Sequence, residues 1–478
     1  MNFDRLSRCM LVATLVAPAG AAAQGFGLNE IGSCAVARGF AVTSVPCNDP
    51  SEIYWNPAAT TGLQGWGLYV GAAGVQVNGG FNEDSTSRSF PGDAPVKFPP
   101  HIFLNYTPRG SKWAVGIGSY VPYGLVSQWK PDFPGRFESQ KASLQSDYIQ
   151  PNFAYRFAPG WSIGGGPVFG ISNVELRQGI DLSPVPVPGA GGLTFGQLLG
   201  IPAGTQFASA DLKGNATAWG FNVGVHGKIG ADWQVGARYL SELKFKYNNA
   251  DVRFTQQQTN LVLAANNPLN VAFPGLFPAG TPIDALISPQ FAPGATFSEG
   301  QHVNTEIDHP AQVQAGVGYT GFTNTTISVD YAWIDYKSFK SLDVNFDGPA
   351  GAAGLSHTLL EDYKSSNSVR FGVEHAFAAG FRGRVGFDWI GSPAPDETVT
   401  PLLPDMDRRN YTLGIGLPLG ASYTLDAGFL HVDTSGRRGR IIARTAGSPQ
   451  ESETAAELNS GFYTLNANVF SLSLKVNF

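Results

Sequence analysis

The chain has 478 residues, with 43% hydrophobic but only 14% charged residues, well below the roughly 25% charge of soluble domains. An aromatic content of 12%, including 32 Phe, excludes disorder, and a formal net charge of −6 gives no reason to expect nucleic acid as a partner. A helical membrane protein is excluded as well, because the long apolar run Cys9 to Ala23 falls short of the about 20 residues a spanning helix needs and is broken by Pro18.

That run follows Arg5 and Arg8 and ends in Ala21-Ala22-Ala23, the charged start, apolar middle and small-residue end of a secretory signal peptide. Residues 1–23 are therefore expected to be removed on export, taking Cys9 with them. Cys34 and Cys47 then remain in an oxidising compartment, and two readings stand for them: a disulfide or two free thiols.

From about Gly65 to Phe478 apolar residues alternate with polar or small ones, the period of strands whose two faces see different surroundings. Trp219, Phe221, Val223 and Val225 take one face, opposite Asn222, Gly224, His226 and Lys228. The pattern recurs at Phe381, Val385, Phe387 and Trp389, at Tyr423, Leu425, Ala427 and Phe429, and at Phe470, Leu472, Leu474, Val476 and the terminal Phe478. The opposite faces carry too many charges and glycines for a soluble sandwich. An all-β fold is expected, a transmembrane antiparallel barrel in the bacterial outer membrane with lipid outside and a polar interior.

Counting such segments predicts about fourteen strands, centred near Tyr69, Leu104, Ile117, Phe153, Ile163, Phe221, Val235, Val317, Val329, Phe371, Phe387, Leu413, Leu425 and Leu474. Short connections such as Ala158 to Trp161 and Gly230 to Trp233 are assigned to the periplasmic end. The long links 178–210 and 248–300 are assigned to the outside. Those links are unusually apolar, holding Phe195, Leu198 and Leu199, then Phe273, Leu276 and Phe277. They either pack on one another as a lid or leave a groove for a hydrophobic ligand. Residues 24–63 are too irregular and too long for a leader, and are expected to plug the lumen of a barrel formed by 64–478.

The segment Asp49-Pro50-Ser51-Glu52-Ile53-Tyr54-Trp55-Asn56-Pro57-Ala58 resembles the N-terminal hatch of the FadL-type long-chain fatty acid transporters, marked by an Asn-Pro-Ala triplet. Tyr123-Gly124-Leu125, Leu212-Lys213-Gly214, Trp219-Gly220-Phe221-Asn222, Ser241-Glu242-Leu243-Lys244, Asp330-Tyr331-Ala332-Trp333 and Leu403-Pro404-Asp405-Met406-Asp407-Arg408 follow in family order. The resemblance implies capture of ligand by outer loops, passage to an inner pocket, and sideways release beside an inward kink in the third strand. Pro122, which lacks a ladder donor, and Gly124 would supply that kink. The alternative is that Pro122 ends the strand at the outer rim.

By the same resemblance, Arg177 and Lys364 are candidates to meet a fatty acid's carboxylate, which would be costly to bury unpaired. The bland reading of such charges is ion pairing in the lumen, expected also of Arg370, Glu374, Arg382, Arg384, Asp388 and Asp426. Asn56, Pro57 and Ala58 are expected to shape the hatch turn, and Asp405, Asp407 and Arg408 to cap the loop above the twelfth strand. His302, Glu306, Asp308 and His309 are scattered by strand spacing over both faces and are read as a solvated rim, not a metal site. Arg437, Arg438, Arg440 and Arg444 form a basic group that either meets lipopolysaccharide phosphates or is ordinarily solvated.

No catalytic residues, cofactor, metal or nucleotide motor are expected, since no phosphate-binding glycine loop and no diagnostic nucleophile spacing occur. The first functional reading is passive outer-membrane transport of hydrophobic compounds, fatty acids foremost. A second is uptake of aromatic hydrocarbons or other neutral xenobiotics by the same fold. A third is a structural or adhesive barrel that transports nothing.

Overall fold

The computed structural model describes residues 25–185, 187, 191–444, 446 and 460–478, so the expected signal peptide at 1–23 lies outside the described residues. Fourteen strands build the wall. They are β1 (Gly65–Glu83), β2 (Pro100–Thr107), β3 (Trp113–Gln128), β4 (Lys141–Ala158), β5 (Trp161–Ile180) and β6 (Ala208–Ile229). After them come β7 in two segments (Trp233–Leu240 and Leu243–Gln256), β8 likewise (Gln301–His309 and Gln312–Phe322), β9 (Thr325–Ile334) and β10 (Ser366–Ala376). Finally β11 (Arg382–Ile390), β12 (Arg408–Leu419), β13 (Tyr423–Thr434) and β14 (Ser460–Asn477) complete the circuit.

Each strand pairs antiparallel with its sequence neighbours, and β1 closes the circle by pairing with β14 from Gly67–Asn477 to Glu83–Gly461. Closure matters because an unpaired ladder edge inside lipid would leave backbone groups with no partner, at several kcal/mol each. Every one of the fourteen centres read from the sequence falls in its own strand, and the short and long connections alternate as expected.

The outward side chains are exposed and apolar, among them Phe153, Ile163, Phe221, Leu413, Phe470 and Leu472. Near the short-turn end Trp66 stacks on Tyr106 at 4.5 Å and Trp233 tilts against Tyr319 at 4.9 Å, forming an aromatic belt. Several inward side chains are charged and paired. Arg384 binds Glu374 at 2.6 Å and also Asp426, Arg382 joins Glu374 at 2.6 Å, and Arg370 lies 3.9 Å from Asp388.

Residues 25–61 are almost wholly buried, and their partners are the inward faces of the strands. The segment holds two short helices, α1 (Ser33–Ala37) and α2 (Glu52–Trp55), then a 3-10 turn, Pro57–Gly62. A disulfide joins Cys34 to Cys47. Asn56 caps the 3-10 turn by accepting from Ala58 N–H at 3.3 Å, while its amide donates to Thr43 O at 2.8 Å and Val225 O at 3.0 Å. Pro57 follows at the first turn position, where its missing N–H costs nothing. The wall reaches in with matching groups. Thr43 N–H donates to Asp330 at 2.6 Å, Gln150 donates to Ile53 O at 2.9 Å, Ser162 to Ala58 O at 2.9 Å and Arg156 to Thr61 O at 2.6 Å.

Glycine at inward positions makes room for this segment. A Cβ on Gly236 would stand 2.1 Å from Thr43 O, and one on Gly386 2.3 Å from Gly39 N, so a side chain at either place would push the segment off the wall.

Candidate functional site

The wall is interrupted between β2 and β3. β2 has only eight residues, and its ladder to β3 stops at Ile102–Ser119, although β3 runs on to Gln128. On the other side of β3 the register to β4 shifts between Tyr120 and Tyr123, so Val121 and Pro122 together oppose Asp147. Pro122 therefore does not end the strand. It sits in a bulge, where its missing N–H and the extra residue bend the strand out of the ladder.

The freed edge of β3 is taken by the inner segment. Leu28 N–H donates to Pro122 O and Gly124 N–H donates to Phe26 O, both at 2.9 Å, with Gly27 bridged to Tyr123. The bend also carries Tyr123 across the lumen, where its hydroxyl donates to Pro310 O at 2.6 Å and accepts from Gln312 at 2.7 Å. Phe26 packs on Tyr123, His309, Tyr336 and Phe339, with ring centroids 5.3–5.9 Å apart.

Between β1 and β3, above the short β2, runs a proline-rich strap, Pro91 to Pro100. It is tied to β1 by Gly92 N–H to Gly79 O, by paired bonds between Lys97 and Val75, and by Ala73 N–H to Pro99 O; to β3 it is tied by Asp93 N–H to Gln128 O. A cavity of about 270 Å³ lies behind the strap. Val75, Val77, Leu28, Val121, Leu125, Trp129, Leu144, Leu403 and Val469 supply its apolar lining. Its charged lining residues are Glu30, Lys97 and Arg408. Arg408 donates to Asp405 at 3.2 Å and to Gly25 O at 3.3 Å. Burial raises the Glu30 carboxyl above its ordinary range.

The outer loops roof this cavity. Ser127 donates to Pro401 O at 2.6 Å, and Trp129 stacks on Phe133 at 4.3 Å. In the same roof Glu138 accepts from Ala443 N–H at 3.2 Å, and burial pushes its carboxyl from an ordinary 4.5 up to about 7. Between those values the folded roof holds a proton that the unfolded chain has lost, so its stability falls as pH rises from about 4.5 through 7. Hydrogen exchange at residues 133–140, corrected for intrinsic rates, should accelerate from pH 5 to pH 8, and Glu138→Gln should remove that dependence.

Pro122 and Gly124 line or border the cavity, and Asn56, Pro57 and Ala58 anchor the inner segment on its far side. Arg177 is exposed and bound to Asp211 at 2.6 Å, while Lys364 is exposed; neither lines the cavity. In the outer links, helix α3 (Phe195–Leu199) meets helix α4 (Pro268–Ala272), Asn267 donating to Leu198 O at 3.1 Å. Leu199 is buried there, Phe195 and Phe277 pack on the core, and Phe273 and Leu276 are exposed. Asp308 pairs with Lys244 and His302 lies 3.4 Å from Asp251, whereas His309 is not on a solvated rim but fully buried in the lumen, 3.0 Å from the Tyr148 hydroxyl, so the four residues do not converge. Arg437 and Arg438 are engaged by Asp396 and Asp84. Sequence reasoning passed over Lys97, Phe98 and Trp129, which lie in or beside the strap; a proline run carrying one lysine between two strands was the available signal.

A closed fourteen-stranded wall with a filled lumen and an apolar cavity at a wall interruption defines an outer-membrane channel for hydrophobic compounds. Comparison with known proteins names the family. The chain belongs to the OMPP1/FadL/TodX family of outer membrane transport proteins, whose model matches residues 13–478. It is 25% identical over 470 residues to the 47 kDa outer membrane protein of Pasteurella multocida, covering 97% of this chain and 98% of that protein. It is 22% identical over 423 residues to a long-chain fatty acid transport protein of Escherichia coli, covering 84% of this chain and 85% of that one. Among solved structures, a Pseudomonas aeruginosa FadL homologue superposes with a TM-score of 0.72 at 19% identity, covering 95% of this chain and all of the other. The protein is thus an outer-membrane β-barrel that transports hydrophobic compounds.

Proposed function

We propose that the compounds are long-chain fatty acids, and that they leave the barrel sideways. The outer links, with Phe273 and Leu276 exposed above the packed Phe195, Leu199 and Phe277, capture the chain from water. The cavity behind the strap then receives it, and the interrupted wall between β1 and β3 releases it into the bilayer, with residues 25–63 acting as a hatch that denies it the straight path. The observation that carries this reading is the coincidence of an apolar cavity with the place where the β2–β3 ladder stops.

The energetics fit a passive route. Each methylene leaving water is worth about 0.8 kcal/mol, so about fifteen methylenes favour lipid by on the order of 12 kcal/mol. What limits entry is the polysaccharide coat of the outer leaflet. A channel with an apolar path beneath that coat needs no motor.

The test is complementation. A bacterium lacking its own fatty acid porin should regain growth on hexadecanoate and uptake of radiolabelled hexadecanoate when this chain is expressed. Restored toluene entry without hexadecanoate uptake would favour neutral aromatic substrates, and correct insertion with neither activity would return the chain to a non-transporting role.

A further inference from the structure

We propose that Lys97 receives the anionic head group of the ligand at the side opening and so selects long-chain acids over neutral molecules of the same length. The proposal deepens the fatty-acid reading above and rests on it.

Residues directly opposite in an antiparallel pair share a face. Val75 lines the cavity, and Lys97 is its partner by an isolated bridge with both backbone bonds made, 2.8 and 3.1 Å, so the lysine is presented to the cavity and not to lipid. The next residue points the other way: Phe98 is exposed, and its ring covers Gly74, where an added Cβ would stand 3.1 Å away.

Among the described residues, three charged side chains line the cavity. Glu30 has the wrong sign for an anion. Arg408 is already engaged by the fully buried Asp405 carboxylate and by Gly25 O. Lys97, by contrast, has no carboxylate within 4.0 Å among the ion pairs of the described residues, and it is exposed. An ammonium held at the mouth of an apolar cavity offers the pairing that a carboxylate needs when it leaves water.

The residue type and its mounting suit the task. Lysine is a compact charge on a flexible four-carbon stem, which can follow a head group from cavity to bilayer surface. Pro91, Pro95, Pro99 and Pro100 donate no backbone bonds, so the strap forms no continuous ladder with either neighbour. A head group drawn to Lys97 therefore sits on the strap at the side opening, with its tail still among Val77, Leu125 and Val469.

Binding of hexadecanoate and of 1-hexadecanol to the purified full-length barrel tests the idea. Wild type should bind both. Lys97→Met, which keeps length but removes charge, should weaken hexadecanoate by about tenfold or more and leave hexadecanol unchanged, and Lys97→Arg should restore the acid. Equal weakening of both ligands would make Lys97 a structural part of the strap and overturn the proposal, as would undiminished hexadecanoate binding by Lys97→Met. A wild-type protein that binds neither molecule would instead remove the fatty-acid reading, and this inference with it.

Discussion

Replacing Pro122 and Gly124 together with valine should cut hexadecanoate uptake by at least about tenfold while leaving insertion and heat-modifiable mobility of the barrel intact. Two physical effects act in one direction. Valine at 122 restores a backbone donor and a β-branched side chain, both of which favour a regular ladder, so the bulge opposite Asp147 loses its cause. Valine at 124 intrudes on the inner segment, because even a Cβ there would lie 2.8 Å from Leu28 Cδ1 and 3.4 Å from Leu144 O. Relief of that contact comes either from the flexible end of Leu28 swinging aside within the cavity or, where Leu28 stays packed, from β3 moving outward into the gap. In the second case the side opening closes. Uptake assays on outer membranes containing equal amounts of folded variant and wild type decide the matter. Undiminished uptake would show that the bend is not on the ligand's path. The single variants separate the two effects: Pro122→Val alone should slow uptake less, since Gly124 still leaves room for Leu28.

The barrel was legible because lipid imposes a hard rule on every second residue, and nothing else in the chain competes with it. The same parity places one candidate residue away from the cavity. On β5 the odd-numbered residues face outward, beginning with exposed Ile163, and Arg177 keeps that parity fourteen positions later; its exposure and its bond to Asp211 follow. The cavity was less legible because its walls come from distant stretches. Leu28 meets Pro122, Tyr123 meets Pro310, and Arg408 meets Gly25. No period or local motif encodes such meetings. Lys97 was hidden for another reason. In sequence it is one charge in a polar, proline-rich connection, where a solvated lysine is the ordinary expectation; only the bridge to Val75 turns it toward the cavity.

Asp330→Leu should release the inner segment at a lower denaturant concentration and with it open the barrel to ions. The Asp330 carboxylate accepts Thr43 N–H at 2.6 Å and Ser44 Oγ–H at 3.0 Å, joining the middle of the segment to β9. Leucine fills similar space but accepts nothing, leaving two donors buried without partners at about 1–3 kcal/mol each. Neighbouring anchors cannot shift to compensate, since Gly236 lies so close that a Cβ would stand 2.1 Å from Thr43 O. The wall itself loses no ladder bond, because side chains take no part in it, and the closed strand circuit should outlast the segment's release. With a denaturant slope of about 2 kcal/mol per molar urea, the total loss of about 2–6 kcal/mol lowers the release midpoint by about 1–3 M. Planar-bilayer recordings during a urea titration read this directly as the concentration at which ion conductance appears. Asp330→Asn keeps one acceptor and should fall between. A leucine variant that conducts at the same urea concentration as wild type would mean that Asp330 does not hold the segment, and that Asn56, Gln150, Ser162 and Arg156 are sufficient to fix it.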